Sequence, residues 1–415
     1  MQLVAHGAQD VYLTGNADIT FFKVVYRRHT NFAVEAIEQT FNGNADFGRK
    51  VSVTVSRNAD LITRTYLQVT LPAVSTLDDT GFSWVREIGH FLINNVSVEI
   101  GGQQIDKHYG EWLSIWNSLT LPVGKQAGYD RMIGNIPELV GTENTQAGLN
   151  GFSASGTGVE VAATAATTLY VPLIFWFNRN AGLALPLIAL QYHEVKICIE
   201  FATYAKIHRG VHEGSTPQLG DASLYIDYVY LARDERRRFA QSAHEYLIEQ
   251  LQFHGDDSIS SGTNHKIKLN FNHPVKELVW VVQSDAAVAT GNSNQPNNWT
   301  DNVDPDLTTA TNPVSDTLIQ LNGHERFSVR DGTYFNVVQP FQHHTNTPAA
   351  GVNLYSFCEK PEEHQPTGSA NFSRIDNANL LVTLGSSIAG NIKIYAVNYN
   401  VLRIMSGMGG LAFAN

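Results

Sequence analysis

A short hairpin motif occurs twice in the chain, and this repeat constrains the fold more than any other feature. Residues 95–106, NVSVEIGGQQID, alternate apolar and polar side chains up to a Gly101-Gly102 turn, where positive φ is tolerated. Residues 316–327, DTLIQLNGHERF, place Asn322-Gly323, the commonest type I′ turn pair, at the matching position. Position 323 lies 221 residues after position 102 in a chain of 415. The repeat therefore predicts one β-unit used twice.

Runs with strand periodicity recur in the same order around both hairpins. The predicted strands are residues 51–55, 67–71, 170–177, 194–201 and 223–231 in the first half, and 267–271, 278–282, 352–357, 379–384 and 392–399 in the second. We expect 170–177 to pair with 194–201, and Leu224, Ile226, Tyr228 and Tyr230 to share one face. Each half then has six to eight strands, which is typical of a sandwich with Greek-key or jelly-roll winding.

Other segments complete the predicted organisation. The spacing of Trp112, Ile115, Trp116 and Leu119 predicts a helix whose aromatic stripe belongs to the core. Residues 141–168 and 285–315 are polar and aperiodic and are predicted to be long surface loops. Residues 233–240, RDERRRFA, are predicted to be a short polar link at the domain boundary. Residues 2–31 form an apolar arm that should pack under the body or against a neighbour.

Charge and cysteine content exclude several classes of protein. Charged residues make up 16% of the chain against roughly 25% on average, which suits a surface pressed against other copies. The net charge of −11 argues against coating nucleic acid, and the basic runs 23–28 and 233–238 are expected to be solvated or interface faces. Cys198 and Cys358 are expected to be buried thiols in a reduced compartment.

Targeting and membrane segments are not expected. Residues 1–15 contain Gln, His and Asp where a signal peptide requires an apolar core. Residues 171–190 are apolar at both ends, but Asn178, Arg179, Asn180 and Pro186 interrupt them, so a buried strand, a tight connection and the approach to another strand are predicted instead of a membrane span.

A search for reactive groups predicts no catalytic, cofactor-binding or metal-binding residues. His193-Glu194 and His244-Glu245 begin like a zinc-protease helix, but Ile197 and Ile248 stand where the second histidines are required. His343-His344 suggests a jelly-roll metal enzyme. However, adjacent strand residues face opposite sides and no carboxylate follows at useful spacing, which favours solvated loop histidines.

Three sequons offer candidate glycosylation sites. Asn95 and Asn371 border predicted strands and are poor candidates, whereas Asn298 lies in a predicted exposed loop and is the possible site. The absence of a predicted signal peptide favours an unmodified Asn298.

Several long motifs together resemble the major capsid proteins of large icosahedral nucleocytoplasmic DNA viruses, above all those of the chlorella viruses and other algal viruses. They are QLVAHGAQDVYLTGNADITFFKVVYRRHTNFAVEAIEQTFNG, GGQQIDKHYGEW, VPLIFWFNRNAGLALPLIALQYHEVK, ERRRFAQSAHEYLIEQLQF and NYNVLRIMSGMGGLAFAN. The resemblance runs from Gln2 to Asn415 and is interrupted mainly at the long loops. Individual glycan sites of the family do not carry over, because the loop sequences differ.

The resemblance implies an all-β double jelly-roll, two eight-stranded antiparallel barrels in tandem with short helices and long loops. The implied division is an arm at 1–31, a first jelly-roll at 32–233 and a second at 234–415. It also implies a homotrimer that forms a pseudo-hexagonal capsomer, contacts neighbouring capsomers and minor capsid and penton proteins, and lies near an internal virion membrane without binding nucleic acid directly. We expect a non-enzymatic glycoprotein of the virion shell, assembled in the host cytoplasm.

Alternative functions remain open from the sequence. A minor paralogous capsid protein of the same virion fits the same motifs. A stand-alone carbohydrate-binding jelly-roll is the rival from another class, and the apolar arm counts against it. A cupin-like enzyme is a more distant possibility that would need a stoichiometric metal.

Overall fold

The computed structural model describes residues 7–75, 82–140, 163–210, 215–289, 294–301 and 311–413. In chain order the main strands are β1 (Phe32–Thr40), β2 (Lys50–Thr54), β3 (Leu61–Leu71), β4 (Ile93–Ile100), β5 (Gln103–Tyr109), β6 (Thr167–Pro172), β7 (Val195–Phe201), β8 (Ala222–Leu231), β9 (His244–Ile259), β10 (Asn264–Leu269), β11 (Pro274–Ser284), β12 (Val314–Leu321), β13 (His324–Glu325), β14 (Val352–Ser356), β15 (Ala378–Leu384), β16 (Gly390–Met405) and β17 (Met408–Leu411). Short strands are Val74–Ser75, Phe82–Trp84, Ala163–Thr164, Leu185–Pro186, His208–Gly210, Arg330–Asp331 and Ala370–Asn371.

The helices are short and lie between the strands. They are α1 (Val11–Thr14), α2 (Ile88–Phe91), α3 (Gly110–Thr120), α4 (Val123–Ile133), α5 (Pro137–Val140), α6 (Trp176–Arg179), α7 (Arg233–Gln241) and α8 (Gln339–His343). Three-residue 3₁₀ turns occur at Ala181–Leu183, Tyr204–Lys206 and Phe372–Arg374, and a π-helical turn at Tyr334–Val338 leads into α8.

The same sheet order occurs twice along the chain. In the first half β1-β8-β3-β6 face β2-β7-β4-β5, and in the second β9-β16-β11-β14 face β10-β15-β12-β13. Every one of these pairings is antiparallel. Two eight-stranded jelly-rolls in tandem result, so one β-unit is used twice, as the repeated hairpin predicts, and it has the form that the resemblance implies.

Both predicted hairpins form with two-residue turns. Gly101 and Gly102 have φ of 59° and 84°, and Asn322 and Gly323 have φ of 53° and 79°, so both central residues of each turn are left-handed. Ile100 faces Gln103 across the first turn, and Leu321 faces His324 across the second. Local turn chemistry therefore fixes the register of both hairpins.

Strand β11 is apolar on both faces because it serves two cores. Leu278, Trp280 and Val282 lie in the core of the second barrel. Val279 and Val281 lie in a separate cluster with helix α3 of the first half. A strand with one solvated face would alternate polar and apolar residues, so the unbroken apolar run reflects burial from both sides.

The two halves share a long ribbon. Strands β9 and β16 each span 16 residues and pair from His244↔Ile404 to Ile259↔Gly390. At one end of the ribbon Ile259 and Ile392 belong to the second core, and at the other Ile248, Leu402 and Ile404 belong to the first core. The hydrophobic cores therefore interlock across the middle of the chain.

The predicted pairing of 170–177 with 194–201 is wrong. Strand β6 ends at Pro172 and pairs with β3, whereas β7 pairs with β2 and β4 in the opposite sheet. After β6 the chain turns, because the Asn178 side chain accepts a hydrogen bond from the Phe175 amide at 3.2 Å and donates to the Thr63 carbonyl at 2.6 Å. The apolar run continues through α6 instead of a strand.

Two sequence predictions concern the end of the first half. Leu224, Ile226 and Tyr228 are buried in the first core, as their alternation predicts, whereas Tyr230, which continues the same alternation at the end of β8, is 37% exposed. Residues 233–240, the predicted polar link, lie in helix α7, in which Asp234 and Glu235 favour the first turn and Arg236 pairs with Asp60 at 2.9 Å.

The predicted loops are only partly described. Residues 141–162, 290–293 and 302–310 lie outside the described residues. Where the predicted loops end, the structure has strands, since Thr167 and Thr168 begin β6 and Val314 and Ser315 begin β12.

Candidate assembly surfaces

Helix α3 joins the two barrels. Its stripe of Trp112, Ile115, Trp116 and Leu119 is buried, as predicted, but the core that it enters lies between the halves and not within the first. The partners on the second barrel are Val279, Val281, Trp299, Val352, Leu354, Tyr395 and Val397. Leu113, on the other side of α3, packs into the first core. The helix thus presents apolar side chains to both barrels.

The first turn of helix α3 makes a polar contact with the second barrel. Glu111 accepts hydrogen bonds from the Lys393 ammonium and, at 2.9 Å, from the Tyr395 hydroxyl, both on β16. Burial and the adjacent Glu111 carboxylate raise the pKa of Tyr395 well above its usual value, so the hydroxyl remains a hydrogen-bond donor. The pairing ties the start of α3 to the second barrel.

Buried charges form a second link between the barrels. Glu249 on β9 lies 2.7 Å from Lys276 on β11 and 3.0 Å from Arg179 on α6 of the first half. The Arg179 guanidinium also lies over the Trp116 ring, 4.9 Å from its centroid. Lys276 is fully buried and donates to the Pro361 carbonyl at 2.6 Å, so its charge is matched on several sides.

His344 lies beside this network and contradicts the prediction of a solvated loop histidine. Its side chain is 0% exposed, and its ring nitrogens contact Glu277 at 2.8 Å and Glu362 at 3.0 Å. Burial alone lowers the pKa of His344, but the two carboxylates outweigh it and raise the pKa to about 9. The neighbouring His343 ends α8, and its Nδ1 lies 2.9 Å from the Glu359 carbonyl oxygen.

Glu362 completes the histidine cluster. Burial raises its pKa, but hydrogen bonds from His344 and Thr345 outweigh burial and hold the pKa below its usual range. Both the amide and the hydroxyl of Thr345 donate to this carboxylate, at 2.7 and 2.6 Å. The cluster is an ion pair with hydrogen-bonded ends, and within the described ranges no three His, Cys, Asp or Glu side chains are grouped to hold a metal ion.

The sequence search missed these buried charges, although one signal was present. Lys276-Glu277 are two adjacent charges inside the otherwise apolar strand β11, and both are 0% exposed. Charged residues are almost never fully buried unless paired, so this dipeptide predicts buried partners. The partners Glu249, His344 and Glu362 lie far away in the sequence, which is why spacing alone does not identify them.

The first hairpin turn contacts the end of the second barrel. The His193 ring packs against Gly101, where an added Cβ would lie 2.4 Å from Nδ1, and the same nitrogen lies 2.9 Å from the Gly409 carbonyl oxygen. The Tyr192 amide donates to the Gly407 carbonyl at 2.9 Å. His193 is therefore a packing residue at the interbarrel contact.

The N-terminal arm carries a long series of exposed apolar side chains. Apart from Asp10, every residue from 7 to 31 is exposed. The exposed apolar side chains of the arm are Val11, Tyr12, Leu13, Ile19, Phe21, Phe22, Val24, Val25 and Tyr26. Residues 7–31 do not pack under their own body, and the other predicted placement, against a neighbouring chain, stays a prediction.

The remaining predicted features are placed as follows. Cys198 and Cys358 are buried free thiols, as predicted. Asn298 is half-buried, and its side-chain oxygen accepts hydrogen bonds from the Thr300 amide and hydroxyl at 3.0 and 2.7 Å. The described helices include none long and apolar enough to span a bilayer.

Two family descriptions match almost the whole chain. "Major capsid protein N-terminus" matches residues 20–232, and "Large eukaryotic DNA virus major capsid protein" matches residues 235–410. Major capsid proteins of Pyramimonas orientalis virus and Paramecium bursaria Chlorella virus 1 are 51% and 43% identical, each over 100% of this chain and 99% of the relative.

Solved structures agree with this likeness. The PBCV-1 virus capsid protein is 38% identical, with a TM-score of 0.75 over 95% of this chain and 100% of the other. The Faustovirus major capsid protein has a TM-score of 0.77 over 96% of this chain and 94% of the other, at 14% identity, and so supports the fold alone.

Proposed function

The chain belongs to the large eukaryotic DNA virus major capsid proteins, and from this premise we propose that three copies close into a capsomer whose six barrels give a pseudo-hexagonal outline. Its function is structural, as a building unit of the virus shell. The trimer is the proposed means by which it performs that function.

The interface between the barrels is the observation that carries this proposal. Helix α3, the β9–β16 ribbon and the Arg179–Glu249 pair all hold one barrel against the other. A rigid pair of similar barrels can supply two of six roughly equal sides, and a threefold ring of such pairs supplies all six. Heterologous contacts of this kind close when the rotation is threefold.

Contacts between chains should use the exposed apolar side chains and the weakly charged surface. An obligate trimer interface typically buries roughly 2,000 to 5,000 Å². Contacts between neighbouring capsomers should be smaller and more polar, so that misplaced capsomers can still dissociate. The arm at 1–31 is the proposed contact with minor capsid and penton proteins, near the internal membrane.

We also propose that the chain has no catalytic activity and no direct nucleic-acid contact, and that it assembles in the host cytoplasm. The net charge of −11 supports the second point, because counterion release requires clustered positive charge. The proposed domains remain 1–31, 32–233 and 234–415. The shared ribbon makes the last two interdependent in folding.

The native mass tests the trimer. Size-exclusion chromatography with light scattering should give three times the 45.8 kDa chain mass, or 137.4 kDa, with no loss on dilution. A stable monomer of 45.8 kDa at high concentration would contradict the proposal.

Asn298 remains the proposed glycosylation site. The hydrogen bonds from Thr300 occupy its side-chain oxygen, whereas a glycan would be attached to Nδ2, which lies 3.5 Å from Gln295 Oε1. Intact mass spectrometry of protein from virions, compared with the Asn298→Gln variant, should show the loss of one glycan mass. An unchanged mass distribution in the variant would exclude this site.

A further inference from the structure

Strand β1 leaves one edge of the first barrel open. It pairs with β8 along all nine residues, from Phe32↔Leu231 to Thr40↔Ser223, and no other strand in the described ranges pairs with it. An edge of nine residues is roughly 30 Å long. Such an edge carries backbone N–H and C=O groups that can pair with another chain.

The open edge has little of the protection that edge strands usually carry. β1, FAVEAIEQT, has no proline and no lysine, and no register shift interrupts its ladder with β8. Phe32 and Val34 are each 53% exposed. An unprotected, partly apolar edge in a protein that functions by assembly indicates a binding edge.

The arm that precedes β1 has the composition of a strand. Residues 19–28, ITFFKVVYRR, are rich in β-branched and aromatic side chains. Phe21, Phe22, Val25 and Tyr26 are 75–98% exposed, and residues 24–31 have neither helix nor strand pairing. Ten extended residues span about 33 Å, which matches the length of the β1 edge.

The direction of the arm favours pairing between chains. The Asn31 carbonyl accepts a hydrogen bond from the Ala232 amide at 3.2 Å, one step beyond the Phe32↔Leu231 pair. The chain therefore leaves the sheet along the line of β1, pointing away from its own open edge. To reach that edge within one chain, the arm would have to reverse its direction within residues 29–31, between the apolar segment and β1.

The charges of the arm and the edge are complementary. The arm carries Lys23, Arg27 and Arg28, whereas the charged residues of β1 are Glu35 and Glu38. Opposite charges on paired strands stabilise the pairing, and like charges oppose it. One arm beside another arm would place basic residues together, so the acidic edge is the better partner.

We propose that residues 19–28 of one chain bind as an added strand on the open edge of β1 in a second copy of the chain. In a closed ring each subunit gives its arm to one neighbour and receives the arm of the other, so residues 19–28 of every arm are covered and the part of the arm before residue 19 is left to contact minor capsid proteins. This inference rests on the proposed self-assembly, and it identifies one of the surfaces that assembly uses.

Cross-linking between two marked chains tests the proposal. A full-length chain with Val25→Cys and one tag is co-expressed with a full-length chain that has Val34→Cys and another tag, and a short bismaleimide is added. A product that carries both tags is expected at about tenfold or more over the control, because pairing raises the local concentration of the thiols. Cys198 and Cys358 are buried, and the unsubstituted chain measures their residual reaction.

The matched control replaces Val34→Cys by Val123→Cys. Val123 is 80% exposed on α4, away from β1, and reports random collisions. If light scattering shows an oligomer but the yield of the two-tag product equals that of the control, the inference is wrong. The proposed trimer is then unaffected. Linkage found only within a chain that carries both substitutions would also overturn it. A monomeric preparation would instead refute the proposed function together with the inference.

Hydrogen exchange gives a second measurement that does not depend on cysteine geometry. Amides of residues 32–40 on the open edge should exchange slowly in the assembled protein. The variant Phe21→Asp with Val25→Asp should restore fast exchange there without changing the circular dichroism, since both side chains are exposed in the arm. Equally fast exchange in both proteins would contradict the added strand.

Discussion

His344 gives the protein a pH-dependent stability at the scale of one residue. Its pKa of about 9 lies above the unfolded value of about 6.5, because Glu277 and Glu362 favour the charged ring. The stabilisation is therefore complete below pH 6.5 and is lost as the pH rises through about 9. The shift corresponds to an energy on the order of 3 kcal/mol.

The variant His344→Gln tests this effect. It keeps a hydrogen-bond donor but removes the charge, so we expect it to unfold more easily than the native chain at pH 6. The difference in unfolding free energy should shrink by about 3 kcal/mol on going to pH 9.5. Urea denaturation at several pH values measures it, and a difference that is constant with pH would contradict the assignment.

His343→Gln is the matched control. His343 is only partly buried and contacts a backbone carbonyl, so its replacement should change stability by less than about 0.5 kcal/mol at each pH.

The pH dependence of stability that comes from Glu362 is opposite to that from His344. The pKa of Glu362 is lowered in the folded protein, so its contribution to stability is present above its unfolded pKa and is lost on acidification.

Sequence reasoning could not reach this residue because its partners are remote. Glu277 lies 67 positions before His344, and Glu362 lies 18 positions after it. The spacing rules for ligands and ion pairs apply within one helix or one strand. Here three separate segments meet, and only the buried Lys276-Glu277 dipeptide indicated that partners must exist.

At the scale of secondary-structure elements, helix α3 should be the most sensitive segment. Trp116 is 6% exposed, packs in the interbarrel cluster, and carries the Arg179 guanidinium over its ring. Trp116→Ala should lower the unfolding free energy by about 3–5 kcal/mol through the lost contacts and the cavity left behind. Chemical denaturation measures the loss.

Val123→Ala provides the comparison for α3. This residue follows α3 closely in the chain but is 80% exposed, so the substitution should cost less than about 0.5 kcal/mol. Comparable losses for Trp116→Ala and Val123→Ala would mean that the interbarrel cluster contributes little to stability.

Elements set by local chemistry were predictable from the sequence. The two hairpins follow from their turn dipeptides, and the stripe of α3 follows from its 3.6-residue period. The predicted strand does not continue beyond Pro172, because an apolar segment has the same appearance in a strand and in a buried turn. The Asn178 side chain decides between them, and its partner Thr63 is distant in the sequence.

At the scale of the whole molecule, the barrels should unfold together. The β9–β16 ribbon ends in both cores and α3 lies between the barrels, so the first core and the interbarrel cluster both depend on residues of the second half. Calorimetry should show one transition, with calorimetric and van't Hoff enthalpies in agreement. Two resolved transitions would show that each core unfolds alone.

The duplication and the β class were predictable at this scale, but the shared core was not. The repeated hairpin and the repeated order of strands can be seen in the amino-acid sequence. Nothing in the periodicity of β9 and β16 indicates that Ile248 and Leu402 belong to the core of the first barrel. The burial of these second-half residues in the first core depends on how the two barrels are placed side by side.

The shared ribbon also limits how genes for such proteins can recombine. A crossover at helix α7 would join a first half from one parent to a second half from another, and the midpoint location makes that exchange look harmless. Yet Ile248, Leu402 and Ile404 fill the first core from the second half, so the hybrid would inherit packing residues selected against a different partner. The two halves are therefore expected to be inherited as a pair.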